Sequence, residues 1–358
     1  MDKFMQNPSR GFRDRDFLQT PEGFFFCVVG PTHPFDRVIA YVKYVPAKTG
    51  KWQDERANYE RVMRDYTIPS LLETFRLLRT KYPQYVFHSD IFSIDMTAVP
   101  LNLVKQHFQP EHKLDELLKT TKRDLLQEKL VKLVNFLSEK SSIPASGFGV
   151  TGSILLGIHN PKFSDIDLTI YGQRNSQKLK ETINRIAANS DSPIKRFAGT
   201  LLEDWCRKKT RRYPLTLQDA KRIIERKWNL GVFEGTLFSV HPAKVESEIA
   251  EKYGDKVYRP EGEVTIKATV IDNGESMFLP CVYRIGDVKI IDGKQPRTEI
   301  EEVVSYESLY DSMAETGEEI LVKGKLEHVH DHRKSRNYYR VLVGSPEGKG
   351  KEYIKFAK

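Results

Sequence analysis

The sequence predicts an α+β protein in three parts: a small N-terminal α+β domain (1–112), a mixed sheet with flanking helices (113–256) and a small C-terminal β-barrel (257–358). Three observations lead there. The 358 residues exceed the length at which one hydrophobic core usually stops growing. Strand-like and helix-like runs alternate through the first two-thirds, and near Tyr258-Arg259-Pro260 the composition shifts to short, turn-limited strands. With 39% hydrophobic and 30% charged residues, the chain belongs with folded proteins, which excludes collagen-like and wholly disordered classes.

The N-terminal part opens on Arg13-Asp14-Arg15-Asp16. Two β-rich runs follow, Gly23 to Gly30 and Arg37 to Val45, and Pro31-Thr32-His33-Pro34 between them predicts an antiparallel pair with a proline-pinned turn. Leu71, Leu72, Phe75 and Leu78, spaced to share one helical face, predict a helix from Ile68 to Thr80, after which Tyr85-Val86-Phe87 reads as a strand. This part carries no catalytic motif, and His33, His88 and Asp90 read as caps and turn partners.

Apolar residues from Leu117 to Leu137 keep a helical period, which predicts one helix between Leu114 and Leu137. Next come a strand ending at Val150, a Gly152-Ser153 turn, a short helix, a polar turn at His159-Asn160-Pro161, a strand over Asp165 to Tyr171 and a helix over Ser176 to Ala188. Gly235 to Val240 is a further strand. In the last third, Val264 to Ile271, Met277 to Tyr283, Glu319 to His328 and Tyr338 to Val343 read as strands, with a helical interruption around Ser308 to Glu315. Many short strands and one helix suggest a compact barrel, with the OB type as candidate topology.

Eleven basic and four acidic side chains lie between Lys195 and Trp228, so that stretch holds +7 of the chain's net +8. A local basic face of this kind suits a polyanionic partner, with Arg207, Lys208, Lys209, Arg211 and Arg212 as candidate nucleic-acid contacts. Trp205 and Trp228 beside it read as packing anchors. No run approaches the length of a membrane span, and Cys27, Cys206 and Cys281 are far apart with no metal-type spacing. A cytoplasmic location and no membrane partner are therefore expected.

The densest chemistry lies between Gly152 and Asp167. Two acids at i and i+2 on a strand point to one face, so Asp165 and Asp167 can bring both carboxylates to one point while Ile166 and Leu168 face the core. Hard cations such as Mg²⁺ or Mn²⁺ prefer such oxygens and share their shell with substrate phosphates. Gly152 and Ser153 sit at a strand-to-helix turn, where glycine permits close approach of a phosphate. Gly147 to Gly152 also matches G-x-G-x-x-G, but the preceding residues lack a hydrophobic strand and the acids open the next strand instead of closing it. His328, His330 and His332 alternate, and the basic segment after them, beside Tyr338 and Tyr339, reads as an exposed hairpin loop of the sort single-strand-binding barrels use.

Gly152-Ser153 followed by Asp165-x-Asp167 resembles the signature of the DNA polymerase β-type nucleotidyltransferase superfamily over about residues 121–241. The whole chain, from Arg13-Asp14-Arg15-Asp16-Phe17 to Glu352-Tyr353-Ile354, resembles a group of archaeal proteins described as predicted nucleotidyltransferases. The resemblance implies a nucleotidyltransferase-type mixed sheet and transfer of a nucleoside monophosphate from an NTP to a hydroxyl acceptor, RNA being the expected one. It implies Asp165 and Asp167 as ligands of two metal ions about 4 Å apart and Gly152-Ser153 as the nucleotide-phosphate cradle, with a basic group from Lys195 to Lys227 stabilising charge. The family's third acid belongs on a neighbouring strand. The expected strand, Thr236 to His241, has none, which leaves Glu234 or His241 as candidates to activate the acceptor; Ser239 and His241 should face Asp165 and Asp167. The alternative is a catalytically lapsed protein of the same fold that binds RNA or a ribosome.

Overall fold

The computed structural model describes residues 10–55, 57–63 and 68–357 and has a mixed α+β architecture with three sheets and, among the described residues, seven α-helices. The first sheet comprises β1 (Phe17–Gln19), β2 (Phe25–Val28), β3 (Arg37–Ala47), β4 (Trp52–Gln53) and β5 (Asn58–Arg61), then, after helix α1 (Ile68–Lys81), β6 (Val86–Ser89), β7 (Ile94–Pro100) and β8 (Gln106–Phe108). Its order is β4-β5-β3-β2-β1-β8, with the β6-β7 pair joined through β3. The predicted antiparallel pair is β2 and β3, and the predicted helix is α1.

The expected single helix from Leu114 to Leu137 is two helices, α2 (Pro110–Lys119) and α3 (Leu125–Ser141). Helical periodicity runs across the break, but Asp124 starts a new helix there: its carboxylate accepts from the Leu126 and Gln127 amides, and the Gln127 side chain accepts from its own amide. Next come β9 (Phe148–Val150), the one-turn helix α4 (Gly152–Leu155), β10 (Ile166–Tyr171), α5 (Gln173–Ala187), β11 (Ile194–Lys195), α6 (Gly199–Arg212), α7 (Leu217–Arg226), β12 (Leu230–Phe233) and β13 (Thr236–Ala243). The second sheet has the order β11-β12-β13-β10-β9, with β10 and β13 parallel. Leu130, Leu133 and Leu137 of α3 and Leu179 and Ile183 of α5 bury against Leu168 and Ile170 of β10.

The third sheet comprises β14 (Lys256–Asp272), β15 (Cys281–Gly293), β16 (Ile300–Ser305), β17 (Glu319–Asp331), β18 (Arg336–Val343) and β19 (Tyr353–Phe356). Its pairings run β14-β15-β16-β18-β17 and return from β17 to β14, closing a ring in which only the β16–β18 contact is parallel. The expected helix around Ser308 to Glu315 is a run of turns. Leu309, Tyr310, Met313 and Ala314 are apolar because they plug the ring's core. His328 and His330 lie on β17, and the turn is confined to residues 332–335.

Buried polar contacts tie the three parts together. Trp228 is fully buried and its indole N–H donates to Ser312 Oγ (3.1 Å), while the buried Lys227 ammonium donates to the carbonyls of Ser308 (2.6 Å) and Asp311 (2.8 Å). Trp228 is thus a packing anchor, as expected, and Lys227 leaves the basic face. At the other junction Arg10 bridges Asp16 (2.7 and 2.8 Å) and Glu111, whose carboxylate also accepts from Tyr171 Oη (2.7 Å).

Burial alone would raise the Glu111 carboxyl, but hydrogen bonding and charge from Arg10, with the Tyr171 bond, bring it down to about 2. A depressed carboxyl stabilises the fold above its unfolded value of 4.5 and loses that contribution as pH falls through about 2. Glu111→Gln should therefore cost about 2 kcal/mol at pH 7, a deficit that narrows steadily in urea melts taken from pH 4.5 downward. A constant deficit would contradict it.

Candidate functional site

Asp165 immediately precedes β10 and Asp167 lies inside it, so the period of two turns both side chains to the same face. The parallel register sets Asp167 opposite Ser239 and Thr169 opposite His241. Ser239 Oγ donates to Asp167 Oδ1 (2.5 Å) and lies 2.8 Å from His241 Nε2, so the expected facing of Ser239 and His241 toward the acids is what the structure has. Since the serine proton goes to the carboxylate, Nε2 of His241 must carry its own proton to complete the chain His241–Ser239–Asp167. In this arrangement Nε2 is a donor that positions Ser239.

The two carboxylates sit in opposite electrostatic states. Burial, then the charge of Asp167, push Asp165 up to about 6 against the pull of Arg61. Burial would also raise Asp167, but the His241 hydrogen bond, the charge of Lys43 and the Ser239 hydroxyl outweigh it and hold that carboxyl well below the usual range. Burial, then the Arg15 charge, lower the His241 imidazole and keep it neutral.

Gly152 adopts φ +69°, a left-handed conformation suited to glycine, and an added Cβ would stand 2.5 Å from Asp167 Oδ2. The glycine therefore sits against the carboxylate, and Ser153 after it is buried. Thr151 anchors this turn: its amide donates to the Asp167 carbonyl (2.8 Å) and its hydroxyl to the Arg15 carbonyl (2.8 Å). Arg15 itself has φ +73°, rare for a residue with a side chain and a sign of stored strain beside the acids.

The acids open into a cavity of about 420 Å³ where all three parts meet. Asp165, Asp167, Ser239 and His241 line one region of it together with Arg15, Lys43 and Arg61 from the N-terminal part. Lys43 is buried in β3 over the Phe17 ring (5.4 Å), and Arg61 packs over Trp52 (4.7 Å). These three cations were not legible as functional in the sequence. The available signals were a lysine inside the apolar run of β3 and the charged Arg13-Asp14-Arg15-Asp16 opening. None of the five candidate basic residues of α6 lines the cavity. Arg207, Lys208, Arg211 and Arg212 are exposed, whereas Lys209 packs over the rings of Trp205 (5.2 Å) and Tyr213 (5.7 Å). The site's positive charge thus comes from the N-terminal part and not from the Lys195 to Lys227 stretch.

Glu234 does not reach the site. It and Gly235 are the two central residues of the tight β12–β13 hairpin, with φ +44° and +77°, as a twist-matched two-residue turn requires. Its carboxylate instead pairs with Lys132 of α3 (3.4 Å).

Among the described residues no group of three or more His, Cys, Asp and Glu is placed to hold a metal ion. The donor set is the carboxylate pair Asp165 and Asp167, whose chemistry suits one hard cation that completes its shell with phosphate oxygens and water. Both carboxylates reach the cavity from one face of the β10 strand. Ser239 occupies the position across from Asp167, and among the described residues no third carboxylate joins the pair. Among the described residues no helix is long and apolar enough to cross a membrane.

A search of known proteins finds one from the archaeon Methanocaldococcus jannaschii, named "Uncharacterized protein MJ1086", that is 31% identical over 348 residues, spanning 97% of this chain and 99% of that protein. No family model and no solved structure matches the chain.

Proposed function

The chain belongs to the same family as the Methanocaldococcus jannaschii protein, and we propose that it is a metal-dependent nucleotidyltransferase that moves a nucleoside monophosphate from an NTP to a hydroxyl acceptor, RNA above all. The observation that carries this reading is the pairing of Asp165 and Asp167 with the Gly152 turn at the mouth of a cavity that also receives Arg15, Lys43 and Arg61. The second sheet is then a nucleotidyltransferase-type sheet, and the ring of β14 to β18 an OB-like barrel, a form used to bind oligonucleotides.

In this reading Asp165 and Asp167 hold one Mg²⁺ or Mn²⁺, which when bound supplies charge neutralisation at the phosphates. Arg15, Lys43 and Arg61 offset the remaining triphosphate charge, and Gly152 leaves room for the Asp167 carboxylate to lie against the backbone. The His241–Ser239 chain fixes the Asp167 carboxylate in one orientation. The test is incubation with Mn²⁺, each labelled NTP and total RNA. Transfer that disappears in Asp167→Ala supports the proposal, and equal incorporation in both proteins rules it out.

One observation favours a second reading, a lapsed enzyme that binds RNA: Ser239 stands where a third carboxylate would be needed. Both readings use the exposed basic residues of α6. Reversing Lys208, Arg211 and Arg212 to Glu should weaken RNA binding and flatten its log-log salt dependence by about 2, at roughly 0.7 per lost phosphate contact on a single strand. An unchanged slope in salt titrations would reduce these charges to solvation of the helix.

A further inference from the structure

The cavity at the acids has a second polar region, built by the ring. Glu307, Tyr306 and Arg340 line it, whereas the wall formed by Ile39, Ile94, Met96 and Leu279 is apolar. The two polar regions differ in kind. The one at Asp165 and Asp167 gathers three cations and the cation-type carboxylate pair, which suits phosphate. The one on the ring offers an aromatic ring, a guanidinium and a carboxyl.

The carboxyl is the informative group. Glu327 beside it is fully engaged, accepting from Arg340 Nε (2.8 Å) and pairing with Lys325 (3.1 Å). Glu307, by contrast, has no hydrogen bond or ion pair to its carboxyl among the described residues, and its half-buried side chain lines the cavity. A carboxyl without a partner on a cavity wall is open to a ligand that enters. Burial, then the charge of Glu352, raise this carboxyl to about 8 against the influence of Lys209, so at neutral pH it keeps its proton. A protonated carboxyl presents a donor and an acceptor side by side. The hydrogen-bonding edge of a nucleobase presents the matching pair.

Resting on the nucleotidyltransferase reading, we infer that the cavity takes one nucleoside triphosphate lengthwise, its phosphates at Asp165 and Asp167 and its base against the C-terminal ring, hydrogen-bonded by Glu307 and stacked on Tyr306. A volume of about 420 Å³ is in the range of small-molecule sites. The apolar lining of Ile39, Ile94, Met96 and Leu279 suits the uncharged part of such a ligand. On this assignment the ring selects the nucleotide, and the two acids and three cations bind any triphosphate.

The experiment compares Mn²⁺-dependent binding of ATP, GTP, CTP, UTP and inorganic tripolyphosphate to the full chain and to Glu307→Ala, Glu307→Gln, Tyr306→Ala and Asp167→Ala, with thermal melts to establish folding. Wild type should bind one or two NTPs at least about tenfold tighter than tripolyphosphate. Glu307→Ala and Tyr306→Ala should remove most of that margin and leave tripolyphosphate binding unchanged, and Glu307→Gln, which keeps a donor and an acceptor, should retain part of it. Tyr306 is more than a third exposed, so its variant remains informative if a Glu307 variant does not fold. NTPs bound no tighter than tripolyphosphate, or a margin untouched by Glu307→Ala and Tyr306→Ala, overturns the inference and leaves the phosphate-end reading standing. Loss of neither ligand in Asp167→Ala, or binding of neither to wild type, overturns both.

Discussion

Asp167→Ala and Asp165→Asn should both abolish Mn²⁺-dependent NTP binding while shifting stability in opposite directions. The acids form a single donor pair, so removing either leaves one carboxylate, too little for a hard cation competing with water. Their contributions to folding differ in sign. Asp165 is raised to about 6 from 3.8, so ionising it costs more in the folded than in the unfolded chain. That penalty is absent below pH 3.8 and complete above about 6, and Asp165→Asn should therefore melt at a higher temperature than wild type at pH 7.5 and at nearly the same temperature at pH 3.5. Asp167 is held well below its ordinary value, first against burial, by the His241 hydrogen bond, Lys43 and Ser239. Its ionised form stabilises the fold above pH 3.8, so Asp167→Ala should melt lower at pH 7.5, leaving Ser239 without its acceptor and removing a favourable charge near Lys43. Mn²⁺ affinity of the wild type should also strengthen as pH rises through about 6, because Asp165 must lose its proton to become a ligand. Mn²⁺ titrations followed by electron paramagnetic resonance, with thermal melts at both pH values, check all of this. Unaltered Mn²⁺ affinity in both variants would remove the cation site.

Ser239→Asp should create the missing carboxylate. The wild-type hydroxyl lies 2.5 Å from Asp167 Oδ1, so an acid at 239 reaches the same point as Asp165 and Asp167. Three carboxylates around one point repel each other in the absence of metal, and the metal-free variant should melt below wild type. Added Mn²⁺ should more than restore it, because a ligand that binds only the folded state stabilises by an amount that grows with the ratio of its concentration to its dissociation constant. At least a tenfold gain in Mn²⁺ affinity is expected, equal to about 1.4 kcal/mol, and NTP turnover should rise with it if the wild-type site is limited by its third ligand. Destabilisation that Mn²⁺ does not reverse would mean that position 239 does not face the metal.

The local parts of this protein were legible because their signals lie close together in the chain. Asp165 and Asp167 share a face by the period of a strand, and the Gly152 turn precedes them on the same short segment; spacing alone places all three at one point. The α1 helix and the β2–β3 pair follow equally from local periodicity and a proline-pinned turn. Local signals also misled. Periodicity ran unbroken from α2 into α3 because both helices bury leucines in one core, so the break appears only through the Asp124 cap. Glu234 sits beside the right strand, but a tight hairpin needs two residues with positive φ there, and that turn carries its side chain to Lys132. Ser308 to Glu315 is apolar enough for a helix, yet it plugs a ring whose closure depends on β14 and β17 pairing across the domain.

By itself, then, the chain's order of residues determined a mixed α+β architecture, the acid pair on its strand and a basic α6. Folding in three dimensions brought Ser239 to Asp167 from 72 residues away, delivered Arg15, Lys43 and Arg61 to the same cavity, and set Glu307 of the ring on its lining. The physical reason is that hydrophobic period records which face of an element is buried and not which element covers it. A lysine in β3 looks like an interruption of an apolar strand until folding brings the Asp167 carboxylate of β10 within range of its charge.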